Sequence, residues 1–119
     1  MADHIRHGFG AARPYLYGDQ STIDVILAIG GTQVEDASGH RELRVGDSMI
    51  VVEVRSNWPA TQARQSVYVY VPDVDAAHAA AVASGASSVE TPADKPYKER
   101  ASTIRDGFGN TWYLSTYSA

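Results

Sequence analysis

The hydrophobic positions of this chain change period several times, and each change marks an element. Pro14-Tyr-Leu-Tyr17 reads as a short aromatic strand, stopped by Gly18, Asp19 and Ser21, residues that end strands and cap helices. Thr22 to Gly30 is rich in β-branched residues, yet Ile23, Ile26 and Leu27 recur at i, i+3 and i+4. Ser21 with Asp24 resembles a capping box and Gly30-Gly31 supplies a stop, so the spacing predicts a helix. Thr32 to Glu35 and His40 to Val45 read as strands around a turn at Ala37-Ser-Gly39. The tight turn Gly46-Asp47 then leads into the strongly strand-forming Ser48 to Val54. Arg55 to Gln65 is a polar loop that holds Trp58 and Pro59.

The pattern then restarts. Ser66 to Val71 alternates valine with serine or tyrosine, as in a strand whose two faces meet different surroundings. Asp73 caps an alanine-rich helix, Val74 to Ser84, which Gly85 closes. Strands are predicted at Ser87 to Glu90, Ser102 to Arg105 and Thr111 to Tyr117, with a loop from Thr91 to Arg100 because that stretch carries two prolines. Residues 1–11 mix glycine, histidine and charge without period and read as a loosely ordered start. Asp19 and Asp73 are 54 positions apart, as are Gly31 and Gly85, so each half reads as strand, capped helix, three strands. One βαβββ unit leaves a sheet face bare, whereas two can curve into one mixed sheet around a shared hollow; the duplication predicts a cleft. The fold class is α+β, one domain over 1–119, with module one at about 12–55, a linker at about 56–65 and module two at about 66–117.

Composition narrows the chemistry. At 119 residues there is room for one core and no second independent domain. The chain has no cysteine, which excludes disulfides, Cys-ligated metal centres and a thiol nucleophile. Eight arginines and two lysines are scattered against fourteen acidic residues, for a net charge of −4, so nucleic acid is not an expected partner. Apolar runs such as Val25 to Ile29 and Ala79 to Ala83 are too short to span a bilayer, and the expectation is a soluble cytoplasmic protein with no membrane partner.

Val69 to Leu114 closely resembles the second module of the vicinal oxygen chelate superfamily, of the glyoxalase and bleomycin-resistance type. The pieces that carry this resemblance are Pro72-Asp-Val-Asp75, the helix end Gly85-Ala86 and Arg105-Asp-Gly-Phe-Gly-Asn-Thr-Trp112. The first half is similar to the family's first module at Pro14-Tyr-Leu16, Ile23-Asp24, Gly31, Glu42-Leu43 and Val45-Gly-Asp-Ser48. The resemblance implies a divalent metal held by the first and last strands of each module, at positions that fall on Ala12 or Arg13, Glu53, Ser66 and Tyr113. Only Glu53 is a good ligand, since alanine has no donor, a serine hydroxyl is weak and a neutral phenol is poor, so no metal or other cofactor is expected. The resemblance also implies a homodimer.

Glu53 is the candidate catalytic residue, read equally as a cleft carboxylate or as a strand-end partner for an arginine such as Arg55. Alternation turns Val67, Val69 and Val71 to the helices, and Ser66, Tyr68 and Tyr70 to the hollow. Trp112 and Leu114 face the helices likewise, and Thr111, Tyr113 and Ser115 the hollow. Tyrosine combines a flat apolar ring with a polar tip, which suits an aromatic or amphipathic ligand. The predicted ligand-binding set is Met49, Glu53, Ser66, Tyr68, Tyr70 and Tyr113. His4 and His7 lie in the expected loose start, His40 reads as structural and His78 as a surface residue; Phe108 is expected to plug the core and Asn110 to hold a turn. The preferred function is metal-independent binding of a small molecule. The alternative is a lyase, isomerase or dioxygenase using Glu53 as base, or with a histidine at a displaced metal.

Overall fold

The computed structural model describes residues 4–54 and 64–118. In chain order the elements are β1 Tyr15–Gly18, α1 Gln20–Ala28, β2 Thr32–Ala37, β3 His40–Val45, β4 Ser48–Val54, β5 Ser66–Tyr70, α2 Val74–Ala83, β6 Ser87–Lys95, β7 Glu99–Arg105 and β8 Thr111–Tyr117. They build two four-stranded mixed sheets of identical order, β1-β4-β3-β2 and β5-β8-β7-β6, with parallel pairing only between β1 and β4 and between β5 and β8. The architecture is α+β and the duplication is plain. The single continuous sheet expected from the sequence is instead two separate sheets. No helix among the described residues is long and apolar enough to cross a membrane. Of the linker expected at 56–65, positions 56–63, with Trp58 and Pro59, lie outside the described residues.

Both helices start on an aspartate and end on a left-handed glycine. The Asp19 carboxylate accepts from the Ser21 amide at 2.9 Å, with the capping box completed by Thr22 rather than by the Ser21–Asp24 pair expected; Asp73 accepts from the Ala76 amide at 3.1 Å. At the far ends Gly30 (φ 109°) and Gly85 (φ 116°) reverse the chain, and the next amides, of Gly31 and Ala86, donate back to Ile26 and Ala81. The counterpart of Gly85 is thus Gly30 and not Gly31. Gly31 is glycine for another reason: a Cβ there would lie 2.6 Å from Ile26 Cγ2. The offset between modules therefore drifts by one residue at each step, from 53 between the β1 and β5 tyrosines through 54 at the caps to 55 at the closing glycines.

One apolar core lies between the helices and the inner faces of both sheets. Leu16, Leu43, Ile50 and Val52 of the first sheet and Val69, Ile104, Trp112 and Leu114 of the second meet Ile23, Ile26, Val74 and Ala81 of the helices. Alternation therefore places the valines of β5 and Trp112 and Leu114 of β8 as the sequence predicts. Phe108 is not in the core; it is half-buried beneath the Arg64 guanidinium, 4.5 Å from its ring centre. His78 is buried rather than exposed. Its Nδ1 lies 2.9 Å from Ser102 Oγ and its Nε2 2.8 Å from Ser88 Oγ, because the small alanines of α2 let the helix settle close to β6 and β7.

A buried polar knot ties the modules together. Asp106 Oδ1 accepts from the amides of Phe108, Gly109 and Asn110, each at 3.0 Å, and Oδ2 from Trp112 Nε1 at 3.1 Å. Asn110, fully buried, donates from Nδ2 to the Tyr17 carbonyl in the first sheet and accepts from the Gln65 amide. Asn110 therefore holds more than its own turn. Two further expectations change. β6 and β7 run through most of the predicted Thr91–Arg100 loop, because β6 is an edge strand that takes Pro92 at a bulge between Glu90 and Ala93 and leaves Pro96 to the turn. Residues 4–11, expected to be loose, lie folded along the first sheet.

Candidate functional site

The strand registers define what each sheet turns away from the helices. On the first sheet Tyr15, Val51 and Glu42 form one cross-strand row and Tyr17, Glu53 and His40 the next, with Met49 opposite Arg44. On the second, Tyr68, Tyr113 and Thr103 form a row, followed by Tyr70, Ser115 and Ala101, with Tyr117 opposite Glu99. The rows superimpose module on module: Tyr15 and Tyr17 stand against β4 as Tyr68 and Tyr70 stand against β8. Each tyrosine pair meets edge to face, with ring centres 5.7 and 5.4 Å apart.

The hollow of the first sheet is filled by its own chain. Gly10 packs on Met49, which is fully buried, and the Arg44 guanidinium lies 4.5 Å from the centre of the Phe9 ring. Arg13 is the clamp: it donates to the carbonyls of Arg6, Phe9 and Gly10 and, at 2.8 Å, to the buried Glu42 carboxylate. Arg6 and His7 reach Glu35, and His40 bridges Glu53 at 2.8 Å and Glu42 at 3.0 Å. Hydrogen bonds to those two carboxylates, Glu53 first, raise the His40 pKa above its ordinary value. Among the described residues the partner of Glu53 is therefore a histidine; Arg55, the arginine considered from sequence, lies outside them.

The hollow of the second sheet stands open. Tyr68, Tyr70 and Tyr113 are 49, 61 and 41% exposed, unusual for three large rings that adjoin one another, and Tyr68 stacks on Tyr113 at 6.4 Å. At their centre is Glu99, which the sequence reading missed. Its carboxylate accepts from the Tyr68 hydroxyl, from Tyr70 at 2.7 Å and from Ser115 Oγ at 2.7 Å. These three hydroxyls, Ser115 first, hold the Glu99 carboxyl below its usual range; in return the carboxylate raises the Tyr68 pKa and pushes that of Tyr70 up to about 12. Both phenols are thus neutral donors at ordinary pH. Glu99 lay inside the predicted proline loop, so nothing in the sequence placed it opposite Tyr117.

Two depressions adjoin the tyrosines. A groove of about 250 Å³ runs between the modules, walled by Pro14, Gly46 and Ser48 on one side and by Tyr68 and Tyr70 on the other. A smaller one of about 160 Å³ has Tyr68, Tyr97 and Tyr113 around it. A larger open cavity of about 480 Å³ lies near the start of α2, but its Arg100 is already paired with Asp75 at 2.7 Å and with Asp94 at 3.2 Å. Of the predicted set, the structure brings Tyr68, Tyr70 and Tyr113 together, with Ser66 exposed two residues before Tyr68. Met49 and Glu53 face the other, filled hollow.

In the same superposition Val51 stands where Tyr113 does, and Glu53 where Ser115 does. Arg13, not Ala12, stands two residues before its tyrosine as Ser66 does. The positions at which the resemblance implies a metal thus hold a guanidinium, a carboxylate engaged by histidine, a serine and a tyrosine, and a guanidinium has no lone pair to give a cation. That donor set does not fit a divalent ion. Among the described residues, His7, Glu35 and Glu42 gather ligand atoms within 4.8 Å of one another, but Arg6 and Arg13 already neutralise the two carboxylates.

No functionally curated protein matches the sequence. Among solved structures, TioX from Micromonospora sp. ML1 is 22% identical, with 89% of this chain and 97% of that one covered at a TM-score of 0.72. The bleomycin resistance determinant encoded on the transposon Tn5 is 15% identical, covering 91% and 98%, with a TM-score of 0.69. A glyoxalase/bleomycin resistance protein/dioxygenase from Nocardioides is 15% identical, covering 89% and 82%, at 0.63. These likenesses concern the fold, and at residues 8–114 the sequence itself matches the family model: the chain belongs to the glyoxalase/bleomycin resistance protein/dioxygenase superfamily.

Proposed function

We propose that this protein binds a small aromatic or amphipathic molecule, without a metal, in the hollow of its second sheet. The observation that carries this reading is the set of adjoining, half-exposed rings of Tyr68, Tyr70 and Tyr113 on the face of the second sheet turned away from the helices. A tyrosine side chain buries about 150–250 Å² in all, and these three keep roughly half of their surface in water, which a flat ligand laid on them would cover. The Tn5-encoded relative, a bleomycin resistance determinant, supports sequestration of a compound as the biological role. The inter-module groove of about 250 Å³ and the depression of about 160 Å³ beside Tyr113 are each small for a single copy, since drug-sized ligands occupy roughly 300–1,000 Å³, and a homodimer in which a second chain closes the hollow would supply the missing wall.

The test is a panel of planar antibiotics and aromatic metabolites, with binding read from quenching of tyrosine and tryptophan fluorescence. At least one compound binds the wild type, and Tyr68→Ala weakens it by about tenfold or more. Equal quenching in the variant overturns the pocket.

The enzymatic alternative has one observation in its favour, the His40–Glu53 contact at 2.8 Å. It needs substrate access to a sheet face that residues 4–13 cover.

A further inference from the structure

Among the described residues Glu99 forms no ion pair: it is a carboxylate among tyrosines, and the preceding Lys98, which lines the open cavity near the start of α2 with it, makes no ion pair to it. Three hydroxyl donors hold it in place, and none of them carries charge. The nearest amine across the strand pair, Lys95, pairs with Glu90 instead, and Arg100, the next residue in the chain, is taken by Asp75 and Asp94. An anion on a concave face lined by exposed tyrosines is complementary to one class of guest. Aromatic rings attract a cation through the negative potential of their faces, and an adjacent carboxylate adds a full opposite charge. The floor beneath is made of small residues: Ser115 pairs with both Tyr70 and Ala101, and it is fully buried under the Glu99 carboxylate that it holds, so the carboxylate and the rings are what face the guest.

We infer that the hollow takes a cation, a quaternary or protonated ammonium carried on an apolar or aromatic body, its charge seated against Glu99 among Tyr68, Tyr70, Tyr113 and Tyr117. The inference rests on the proposed ligand-binding reading and names the ligand's charge. An ammonium adds its field to that of the three hydroxyls without displacing them, because a carboxylate offers about four lone-pair sites and they use three. Tyr117, 59% exposed and opposite Glu99 across the β7–β8 pair, stands at the edge where the guest enters.

Choline and its neutral carbon isostere, 3,3-dimethylbutan-1-ol, differ in charge and hardly in shape. 2-Naphthylmethanol is a neutral aromatic probe of the parent reading. Titration of the wild-type protein is followed by the tyrosine ring signals in NMR. Choline is expected to shift the signals of Tyr68 and Tyr70 and to bind about tenfold or more tighter than the isostere, with the preference abolished in Glu99→Gln. The contrast between probes needs only the wild type, so it holds whether or not the variant folds. If choline and the isostere bind alike, or if only naphthylmethanol binds, the cation inference is overturned and the aromatic-ligand reading stands. Should the preference for choline survive Glu99→Gln, Glu99 is not the seat and the inference fails. If no probe moves any tyrosine signal, both readings fall.

Discussion

The two modules carry the same tyrosine pair on the same strand, with Tyr15 as exposed as Tyr68, and what differs is the hollow beside each pair. In the first, Tyr15 and Tyr17 border a hollow that residues 4–13 fill, fastened by Arg13 to Glu42 and by Arg6 and His7 to Glu35. In the second, Tyr68 and Tyr70 border a hollow that nothing in the described chain covers, and their hydroxyls converge on Glu99. The carboxylates beside the two tyrosine pairs differ in the same sense: Glu42 and Glu53 meet arginine and histidine, whereas Glu99, among the described residues, meets hydroxyls. Duplication supplies two equivalent scaffolds, and what distinguishes a site from a packed face is which scaffold keeps its polar groups unspent. Three experiments bear on that contrast.

The largest effect is expected where the modules are joined. Asp106→Ala removes a side-chain acceptor from three backbone amides and from the Trp112 indole N–H; Gly109 keeps the carbonyl of residue 106 at 3.1 Å, so three donors in a largely buried setting lose their partner. Losing the partner of a buried donor costs about 1–3 kcal/mol each before water repairs any of them, so a fall of roughly 3–5 kcal/mol in unfolding free energy is expected by urea denaturation. Asn110 reaches Tyr17 from this knot, so both modules should lose stability in a single transition. A variant in which one module melts separately would show that the modules are less coupled than the hydrogen bonds imply.

Next comes Arg13→Ala, which releases the N-terminal segment and leaves His40, at 3.0 Å, as the nearest partner of the buried Glu42. Breaking a largely buried pair from one side costs about 3 kcal/mol. Residues 6–10 should lose amide protection in hydrogen exchange, while any ligand measured at Tyr68 keeps its affinity to within about threefold. Loss of affinity at Tyr68 would mean that the two hollows are not independent.

The contrast between the hollows was half legible in the sequence. Alternation placed Tyr68, Tyr70 and Tyr113 on one face, and the aspartate caps and closing glycines gave the duplication, because period and capping are local properties. What escaped detection depends on pairing across long separations. Glu99 became visible only once β7 extended past the predicted loop, since a bulge at an edge strand tolerates Pro92. Residues 4–11 have no apolar period because guanidinium-to-carbonyl bonds and not burial hold them, and those bonds need a sheet built from residues 15–54 before they exist. The burial of His78 is invisible in the sequence because its partners, Ser88 and Ser102, lie on strands that the helix meets only after folding.

The smallest effect is a difference of sign between two histidines, one in each module. His40 of module one is raised above 6.5 by Glu53 and Glu42, so the folded state binds its proton more tightly than the unfolded chain does. Its contribution to stability is full below pH 6.5 and is lost as pH rises through the raised value. His78 of module two is lowered from 6.5, chiefly by burial and against the attraction of Asp75, so folding excludes its proton. It costs nothing above pH 6.5 and destabilises the protein as pH falls from there towards the lowered value. Denaturation of His40→Gln and His78→Gln at about pH 5 and about pH 9 separates the two. Relative to wild type, His40→Gln should lose more stability at the acid end than at the alkaline end. His78→Gln gives up its two serine contacts at both, but at the acid end recovers part of that loss because no charge need be buried. Parallel pH profiles for the two variants would mean that the histidine environments of the modules do not differ in the way their neighbours require.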